Sequence, residues 1–158
     1  MNIEKERKFL VRNSTYKKYA KEQTRIVQGY ISTDPERSVR IRIRDNRGYI
    51  TIKGKTTGSS GISRPEWEKE IDPGEAGQLL GLCKPYLVEK IRYIVPAGQH
   101  IFEVDEFLGD NHGLIVAEIE IEHEDEGFEK PSWLGEEVSG VSRYYNAALS
   151  SHPYNLWK

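Results

Sequence analysis

Hydrophobic and polar residues alternate along most of the chain with the two-residue period of β-strands. In the first segment, Glu4, Glu6 and Lys8 fall on one face of such a strand. Ile3 and Phe9 fall on the opposite face. The same alternation predicts eight strands, at about 3–11, 24–32, 37–45, 48–56, 62–71, 86–96, 100–107 and 114–123.

The segments between these strands are mostly short and rich in turn residues, as in DNRG at 45–48 and PAGQ at 96–99. Three segments instead have helical character, and they lie at 14–23, 73–83 and 142–151. Links of this length favour an antiparallel meander, and eight strands are enough to close a barrel. The pattern therefore predicts one mainly β (α+β) domain over residues 1–158, built as a closed eight-stranded antiparallel β-barrel with a few helices packed outside.

The polar faces of the predicted strands carry charges that are segregated by sign. Arg40, Arg42 and Arg44 share one face of their strand, whereas Glu118 and Glu120 share a face of another together with Glu122. One such strand is typical of a solvated sheet surface, but rows of like charge repel each other along and across strands. Seven strands with this design indicate that the charged faces point inward, onto a shared cavity.

Buried charges on this scale require partners, because desolvation of an unpaired charge is very unfavourable. Rows of cations favour a polyanion, and rows of carboxylates favour hard divalent metal ions, which prefer oxygen ligands. A polyphosphate with Mg²⁺ or Mn²⁺ satisfies both requirements. The strand pattern therefore predicts a barrel with a charged interior that binds phosphate and metal.

The overall composition restricts the partners further. The chain has 23 Lys and Arg against 25 Asp and Glu, for a formal net charge of -2, which argues against a general nucleic-acid binder. Its one cysteine, Cys83, excludes an internal disulfide framework and fits a reducing compartment. We find no signal peptide and no apolar run of membrane-spanning length, so we expect a cytoplasmic protein with no membrane partner. A homodimer is compatible with the sequence.

Several short motifs, in order along the chain, carry a resemblance to a known family. The ExExK pattern of residues 4–8, followed by FLV, resembles the signature of the CYTH or triphosphate tunnel metalloenzyme superfamily. The further matching motifs are QGYI at 28–31, RIR at 40–42, TIKG at 51–54, RxExE at 64–68, EKIRY at 89–93, FEVDEF at 102–107, AEIEIE at 117–122 and SRYYN at 142–146. One ExExK alone is weak, but the ordered series covers nearly the whole chain.

The resemblance implies an eight-stranded antiparallel tunnel that binds a small-molecule triphosphate with a divalent metal. The chain is most similar to short stand-alone bacterial members, several of which are inorganic triphosphatases. We therefore expect metal-dependent hydrolysis of tripolyphosphate to pyrophosphate and phosphate. A class IV adenylate cyclase, a thiamine or nucleoside triphosphatase, and a non-catalytic polyphosphate sensor remain the alternatives.

The resemblance also implies roles for individual residues. The expected metal carboxylates are Glu4, Glu6, Glu120 and Glu122, while Glu118 either joins them or only orients other side chains near a tunnel mouth. The expected phosphate-binding cations are Lys8, Arg40, Arg42, Lys53, Lys90 and Arg92. Three further acids, Glu66, Glu68 and Asp105, are expected to pair with these cations.

We expect water to be the nucleophile, because no Ser-His-Asp or Cys-His arrangement is suggested by the sequence. Some relatives use a Lys–Tyr dyad to activate that water, and the matching positions are Lys90 and Tyr30. Arginines around Lys90 should lower its pKa by repulsion between like charges. A lowered pKa is what a general base needs near neutral pH.

Overall fold

A computed structural model describes residues 1–157. It contains nine strands, namely β1 (Asn2–Val11), β2 (Glu22–Ser32), β3 (Arg37–Arg44), β4 (Arg47–Gly54), β5 (Ser63–Ile71), β6 (Lys84–Ala97), β7 (His100–Phe107), β8 (Ile115–Glu120) and β9 (Leu134–Glu137). The α-helices are α1 (Tyr16–Tyr19), α2 (Pro73–Leu80) and α3 (Asn146–Leu149). Short 3-10 helices lie at Gly109–Asn111, Ser142–Tyr144 and Tyr154–Leu156.

The first eight strands form a closed antiparallel barrel, as predicted, in the order β5-β4-β3-β2-β6-β7-β8-β1. Pairing between β1 and β5 closes the ring, and β9 adds to β1 outside it. The barrel is not the simple meander expected from the short links. β1 lies between β8 and β5 because its first half pairs with β5 and its second half with β8, and β6 lies beside β2.

Several predicted boundaries were wrong. The helix predicted at 14–23 is limited to Tyr16–Tyr19, because Glu22 and Gln23 already pair with β6. The helix predicted at 142–151 is a 3-10 turn followed by α3. β8 ends at Glu120 rather than at 123, and β9 was missed. α2 is close to the prediction, since its Asp72 cap accepts a hydrogen bond from the backbone N–H of Glu75 at 3.2 Å.

The larger apolar cluster lies outside the barrel wall, on the outward faces of β1, β6, β7 and β8. Its buried residues are Phe9, Tyr16, Tyr93, Val95, Ala97, Phe102, Val104, Ala117, Ile119, Ile121, Trp133 and Leu134. The outward faces elsewhere are only partly covered, and Ile3, Ile52 and Trp67 are exposed. The expectation that helices cover the aliphatic faces therefore holds for only part of the barrel.

A second apolar cluster closes one end of the barrel interior. Val88, Phe107 and Val116 come from the inward faces of β6, β7 and β8, and they pack with Tyr144 and Leu149 of the C-terminal segment. The interior is therefore charged over only part of its length. Among the described residues, no helix is long and apolar enough to cross a membrane.

Candidate phosphate and metal site

The charged part of the barrel interior is a cavity of about 470 Å³. Inward-facing side chains of the strands line it, because alternate residues of each strand point to the same side. The C-terminal segment contributes a further wall that includes Ser139, Tyr145 and Asn146. Carboxylates are concentrated on one part of the cavity wall, and most of the cations lie on the part next to it, with ion pairs between the two.

The acidic part of the wall comes from β1, β7 and β8. Carboxylate oxygens of Glu6, Glu103 and Glu118 all lie within 4.8 Å of one another. Glu4 and Glu120 line the same cavity, and Glu120 is the cross-strand partner of Glu6. Strands β1, β7 and β8 are adjacent, so acids from distant parts of the sequence converge here.

Two carboxylates of this wall have raised pKa values, and a bound cation would favour their ionised forms. Burial raises the pKa of Glu6 well above its ordinary value, and the carboxylates of Glu118 and Glu4 raise it further. Burial likewise raises the pKa of Glu120, with Glu4 and Glu103 adding to the effect. A bound cation would favour the ionised forms of Glu6 and Glu120, and converging carboxylate oxygens are a fitting ligand set for a hard divalent cation.

Glu118 is the buried member of the Glu6, Glu103 and Glu118 cluster, and two cations pair with it. Its carboxylate lies 3.3 Å from Lys8 Nζ and 3.5 Å from Arg92 Nη2. Burial favours its neutral form, but Lys8, a hydrogen bond from Glu6 and Arg92 together outweigh burial and hold the pKa of Glu118 well below its usual range. Glu118 thus lies where the acidic and cationic parts of the wall meet, and it is buried rather than at a mouth.

Two acidic positions differ from the sequence-based assignment. Glu122 follows the end of β8 and is exposed, and it lines not the main cavity but a neighbouring depression that shares Glu103 and Glu120 with it. The predicted row of three glutamates fails there because the strand ends at Glu120. Glu103 was not assigned to the metal, although its alternation with Asp105 in FEVDEF placed it on a charged face.

The cationic part of the wall holds Arg40 and Arg42 of β3, Lys53 of β4 and Arg92 of β6. Among residues 1–157, Arg42 forms no salt bridge, and its guanidinium donates to Gln28 Oε1 at 2.6 and 2.9 Å. Burial lowers the pKa of Arg42, and Arg40 and Arg92 lower it further. The positive charge at Arg42 therefore favours an anion in the cavity.

The three acids expected to pair with cations do so. Lys53 Nζ lies 3.7 Å from Glu66, and Arg40 Nη2 lies 3.5 Å from Glu68. Asp105 lies behind the cavity wall, where it accepts two hydrogen bonds from Arg92 at 2.8 and 2.9 Å. Lys53 also lies 2.7 Å from Glu4, a contact between an expected phosphate-binding cation and an expected metal ligand.

Lys90 is 1% exposed and lies at the inner end of the charged cavity. Its Nζ is 2.8 Å from Asp105 Oδ2 and 5.5 Å from the centre of the Phe107 ring, which belongs to the apolar cluster. Burial lowers the pKa of Lys90 to about 7, with Asp105 opposing that shift and Arg92 and Arg42 adding to it. The predicted direction is confirmed, but burial rather than the arginines is the main cause.

Tyr30, the expected partner of Lys90, is 6% exposed and lines the same cavity. It lies on the same face of β2 as Gln28, two residues away. Gln28 and Asn146 were not predicted as site residues, although both lie in the motifs QGYI and SRYYN. Asn146 Oδ1 accepts hydrogen bonds from Gln28 Nε2 and Lys90 Nζ, each at 3.0 Å.

Comparison with known proteins agrees with this architecture. An inorganic triphosphatase of Acetivibrio thermocellus is 46% identical over 159 residues, which cover 100% of this chain and 99% of the relative. An inorganic triphosphatase of Nitrosomonas europaea is 37% identical over 151 residues, covering 92% of this chain and 95% of the relative. A crystal structure of an inorganic triphosphatase superposes with a TM-score of 0.64 at 31% identity, covering 92% of this chain and 95% of the other.

The model of the CYTH domain matches residues 2–145, and this range includes all of the barrel strands. The match and the relatives span nearly the entire chain rather than a single motif. The chain therefore belongs to the CYTH domain family.

Proposed function

We propose that the protein is a metal-dependent triphosphatase that hydrolyses inorganic tripolyphosphate to pyrophosphate and orthophosphate. The observation that carries the proposal is a single cavity that holds both a cluster of carboxylates and an adjoining set of Lys and Arg side chains. A triphosphate with a divalent cation complements both groups at once. The names of the relatives in Acetivibrio thermocellus and Nitrosomonas europaea support the same substrate.

In this proposal, cations hold the phosphate chain and orient it in the cavity. The residues assigned to this role are Lys8, Arg40, Arg42, Lys53 and Arg92. Arginine can contact two phosphate oxygens at once, whereas lysine acts as a point charge. Glu66, Glu68 and Asp105 keep these side chains extended through the ion pairs described above.

Glu6, Glu103 and Glu118 would hold the divalent cation, with Glu4 and Glu120 beside them. Mg²⁺ and Mn²⁺ both suit an all-oxygen ligand set. When bound, such a cation would neutralise charge on the phosphate oxygens and so favour in-line attack of water on phosphorus. Glu122 lies outside the cavity and is left out of this set.

Lys90 is proposed to act as the general base, assisted by Tyr30. It takes one proton from a water molecule, whose oxygen bonds to a terminal phosphorus while the bond from that phosphorus to the bridging oxygen breaks. The products are orthophosphate and pyrophosphate. The pKa of Lys90, lowered to about 7 by burial, leaves an appreciable neutral fraction near physiological pH.

A phosphate-release assay tests the proposal directly. Tripolyphosphate, ATP and thiamine triphosphate are compared with Mg²⁺ and with Mn²⁺. We expect release that is fastest with tripolyphosphate, stops with EDTA and returns when excess metal is added. Activity that survives thorough chelation would contradict the metal assignment, and formation of cAMP from ATP would point to a cyclase instead.

A further inference from the structure

A chain of hydrogen bonds connects Arg42 to Lys90 through two amide side chains. Gln28 is 0% exposed and lies between Arg42 and Asn146. Asn146 in turn contacts Lys90. The metal and phosphate roles proposed above use neither amide, so a separate reason is needed for burying Gln28 beside a cationic cavity.

Arg42 determines which atom donates and which accepts in each of these hydrogen bonds. A guanidinium can only donate, so Arg42 requires the oxygen of Gln28, and both Nε and Nη2 of Arg42 do contact Oε1. The Nε2 amide of Gln28 must then point toward Asn146 and donate to it. Asn146 therefore presents its oxygen, not its nitrogen, at the point where it contacts Lys90.

The position of Asn146 is held by its neighbours in the chain. Tyr144 and Leu149 are both buried in the apolar cluster that closes the barrel. The backbone N–H groups of Leu149 and Ser150 donate to the carbonyl oxygens of Tyr145 and Asn146 at 3.0 and 3.1 Å. The backbone at Asn146 is thus anchored on both sides, and Gln28 holds its side-chain amide.

Lys90 consequently has hydrogen-bond acceptors in two directions. Asp105 Oδ2 lies at 2.8 Å and Asn146 Oδ1 at 3.0 Å from its Nζ. A neutral amine has two N–H groups and one lone pair, so these two acceptors use both N–H groups. The charged groups that face Lys90 are Asp105 of β7, Arg92 of β6, Arg42 of β3 and Glu118 of β8.

We infer that Asn146 is a positioning residue that, together with Asp105, turns the lone pair of neutral Lys90 toward the cavity. This inference rests on the proposed function, in which Lys90 removes a proton from water. Gln28 maintains the orientation by preventing the amide of Asn146 from turning over. With the amide reversed, its nitrogen would donate to the lone pair of Lys90 and block the base.

Three variants test the inference in steady-state assays with tripolyphosphate. Asn146→Ala should lower kcat roughly 10- to 100-fold and leave KM nearly unchanged, because the amine loses its orientation but the phosphate-binding cations remain. Asn146→Asp keeps an acceptor and adds a negative charge. It should raise the pKa of Lys90 by roughly 1–3 pH units and move the rising part of the pH–kcat profile by the same amount.

Gln28→Glu gives the sharpest comparison. Glutamate still accepts from Arg42 but cannot donate to Asn146, so the amide of Asn146 is expected to reverse and kcat to fall at least as far as in Asn146→Ala. The matched control is Asn155→Ala, which removes an exposed asparagine of the same C-terminal segment and should leave kcat unchanged. Thermal unfolding of each variant checks that the fold is retained.

The pKa of Lys90 is also measured without substrate, by NMR titration of its side-chain amine. A higher pKa in Asn146→Asp than in the wild type is expected even if no substrate has been found. Wild-type kcat and pH profile in both Asn146→Ala and Gln28→Glu would overturn the inference while leaving the triphosphatase proposal intact. Absence of hydrolysis by the wild type would instead overturn the proposed function.

Discussion

Lys8 and Lys90 are both buried lysines of the same cavity, yet their surroundings move their pKa values in opposite directions. Burial alone would lower the pKa of Lys8, but the carboxylates of Glu118 and Glu6 outweigh it and raise that pKa. Burial lowers the pKa of Lys90 to about 7 despite a carboxylate at 2.8 Å. Two buried lysines in one cavity therefore differ in how readily they lose a proton.

The difference comes from how the neighbouring carboxylates are shared. Asp105 is the only carboxylate within salt-bridge distance of Lys90 among the described residues, and Arg92 also uses both of its oxygens. Lys8 instead faces the acidic cluster, where carboxylates outnumber cations. Lys90 also borders the apolar cluster through Phe107. Lys8 is thus suited to be a permanent cation, and Lys90 to exchange a proton.

Removing a carboxylate from the acidic cluster should have the largest effect on activity. Glu6→Gln and Glu120→Gln are each expected to reduce turnover to background, because each removes a carboxylate charge at the metal site. Both proteins should remain folded with unchanged or raised stability. The pKa of each acid is raised in the fold, so the ionised carboxylate destabilises the folded state above the pKa of the unfolded chain, near 4.3, and glutamine removes that effect.

The same two variants also test which carboxylate raises the pKa of Lys8. Glu6 helps to raise the pKa of Lys8, whereas Glu120 is not among the groups that do so. Glu6→Gln alone should therefore lower the pKa of Lys8, which an NMR titration can follow. Glu129→Gln, on an exposed glutamate, is the control for activity. Unfolded variants, or near-normal turnover, would indicate that Glu6 and Glu120 serve only in structural ion pairs.

Lys90→Arg should have the next largest effect. Arginine keeps the positive charge but does not release its proton in the accessible pH range, so kcat should fall about 10²- to 10⁴-fold while KM changes little. The wild-type rate should rise from neutral into alkaline pH, since bound triphosphate raises the pKa of Lys90 again, and the variant should lose this rise. Steady-state kinetics from pH 6 to 10 measure both effects.

Lys8→Arg is the matched comparison for that experiment. Lys8 is expected to work as a cation only, so the arginine variant should keep most of kcat and the wild-type pH profile. If Lys90→Arg behaves in the same way as Lys8→Arg, then Lys90 only binds phosphate. Hydroxide formed at the metal would then be the better candidate for the nucleophile.

Alternation along the sequence predicted the barrel because it is a local property of each strand. Arg40 and Arg42 alternate with Ile41 and Ile43, and this pattern fixes the two faces of β3 without knowledge of its neighbours. The partners of β1 could not be obtained in this way. Pairing between β1, β5 and β8 joins residues far apart in sequence, and nothing local to β1 specifies it.

The site was predictable only where it depends on the faces of single strands. Strand faces indicated which charged side chains point inward, but not how deep they lie or where the strand ends, as Glu122 illustrates. Lys90 was placed among arginines, yet its contact with the apolar cluster through Phe107 was not foreseen. Asn146 reaches the cavity from outside the barrel strands, so no strand pattern includes it.

Measurements of the free energy of unfolding, which need no substrate, can show whether Lys8 and Lys90 differ in their contribution to stability. Lys8→Met should lower the free energy of unfolding by about 1–3 kcal/mol near neutral pH, because Glu118 loses one of its two buried cation partners and keeps only Arg92. Lys90→Met should raise stability, most fully below pH 7. The pKa of Lys90 is about 7 when folded and near 10.4 when unfolded, so the unfolded chain binds the extra proton between those values.

The proton that unfolded Lys90 binds in this pH range determines whether stability rises or falls with pH. Stability attributable to Lys90 rises with pH from about 7 to about 10.4, so the advantage of Lys90→Met should shrink over this window. Stability contributed by Lys8 is present below about 10.4 and is lost only at higher pH, because its folded pKa is raised. Urea unfolding at pH 6 and pH 9 measures both. Equal shifts in the two variants would contradict the proposed difference.

Tyr30→Phe should reduce kcat less than Lys90→Arg does. Tyr30 is buried and lines the cavity, but it is not a hydrogen-bond partner of Lys90 in the structure, where Asp105 and Asn146 fill that role. Removal of its hydroxyl should cost about one hydrogen bond to the reacting water, or roughly a tenfold loss of kcat. The pH–rate profile should keep its wild-type shape, since Lys90 still titrates. A loss as large as that of Lys90→Arg, with the alkaline rise abolished, would instead make Tyr30 an equal partner in removing the proton.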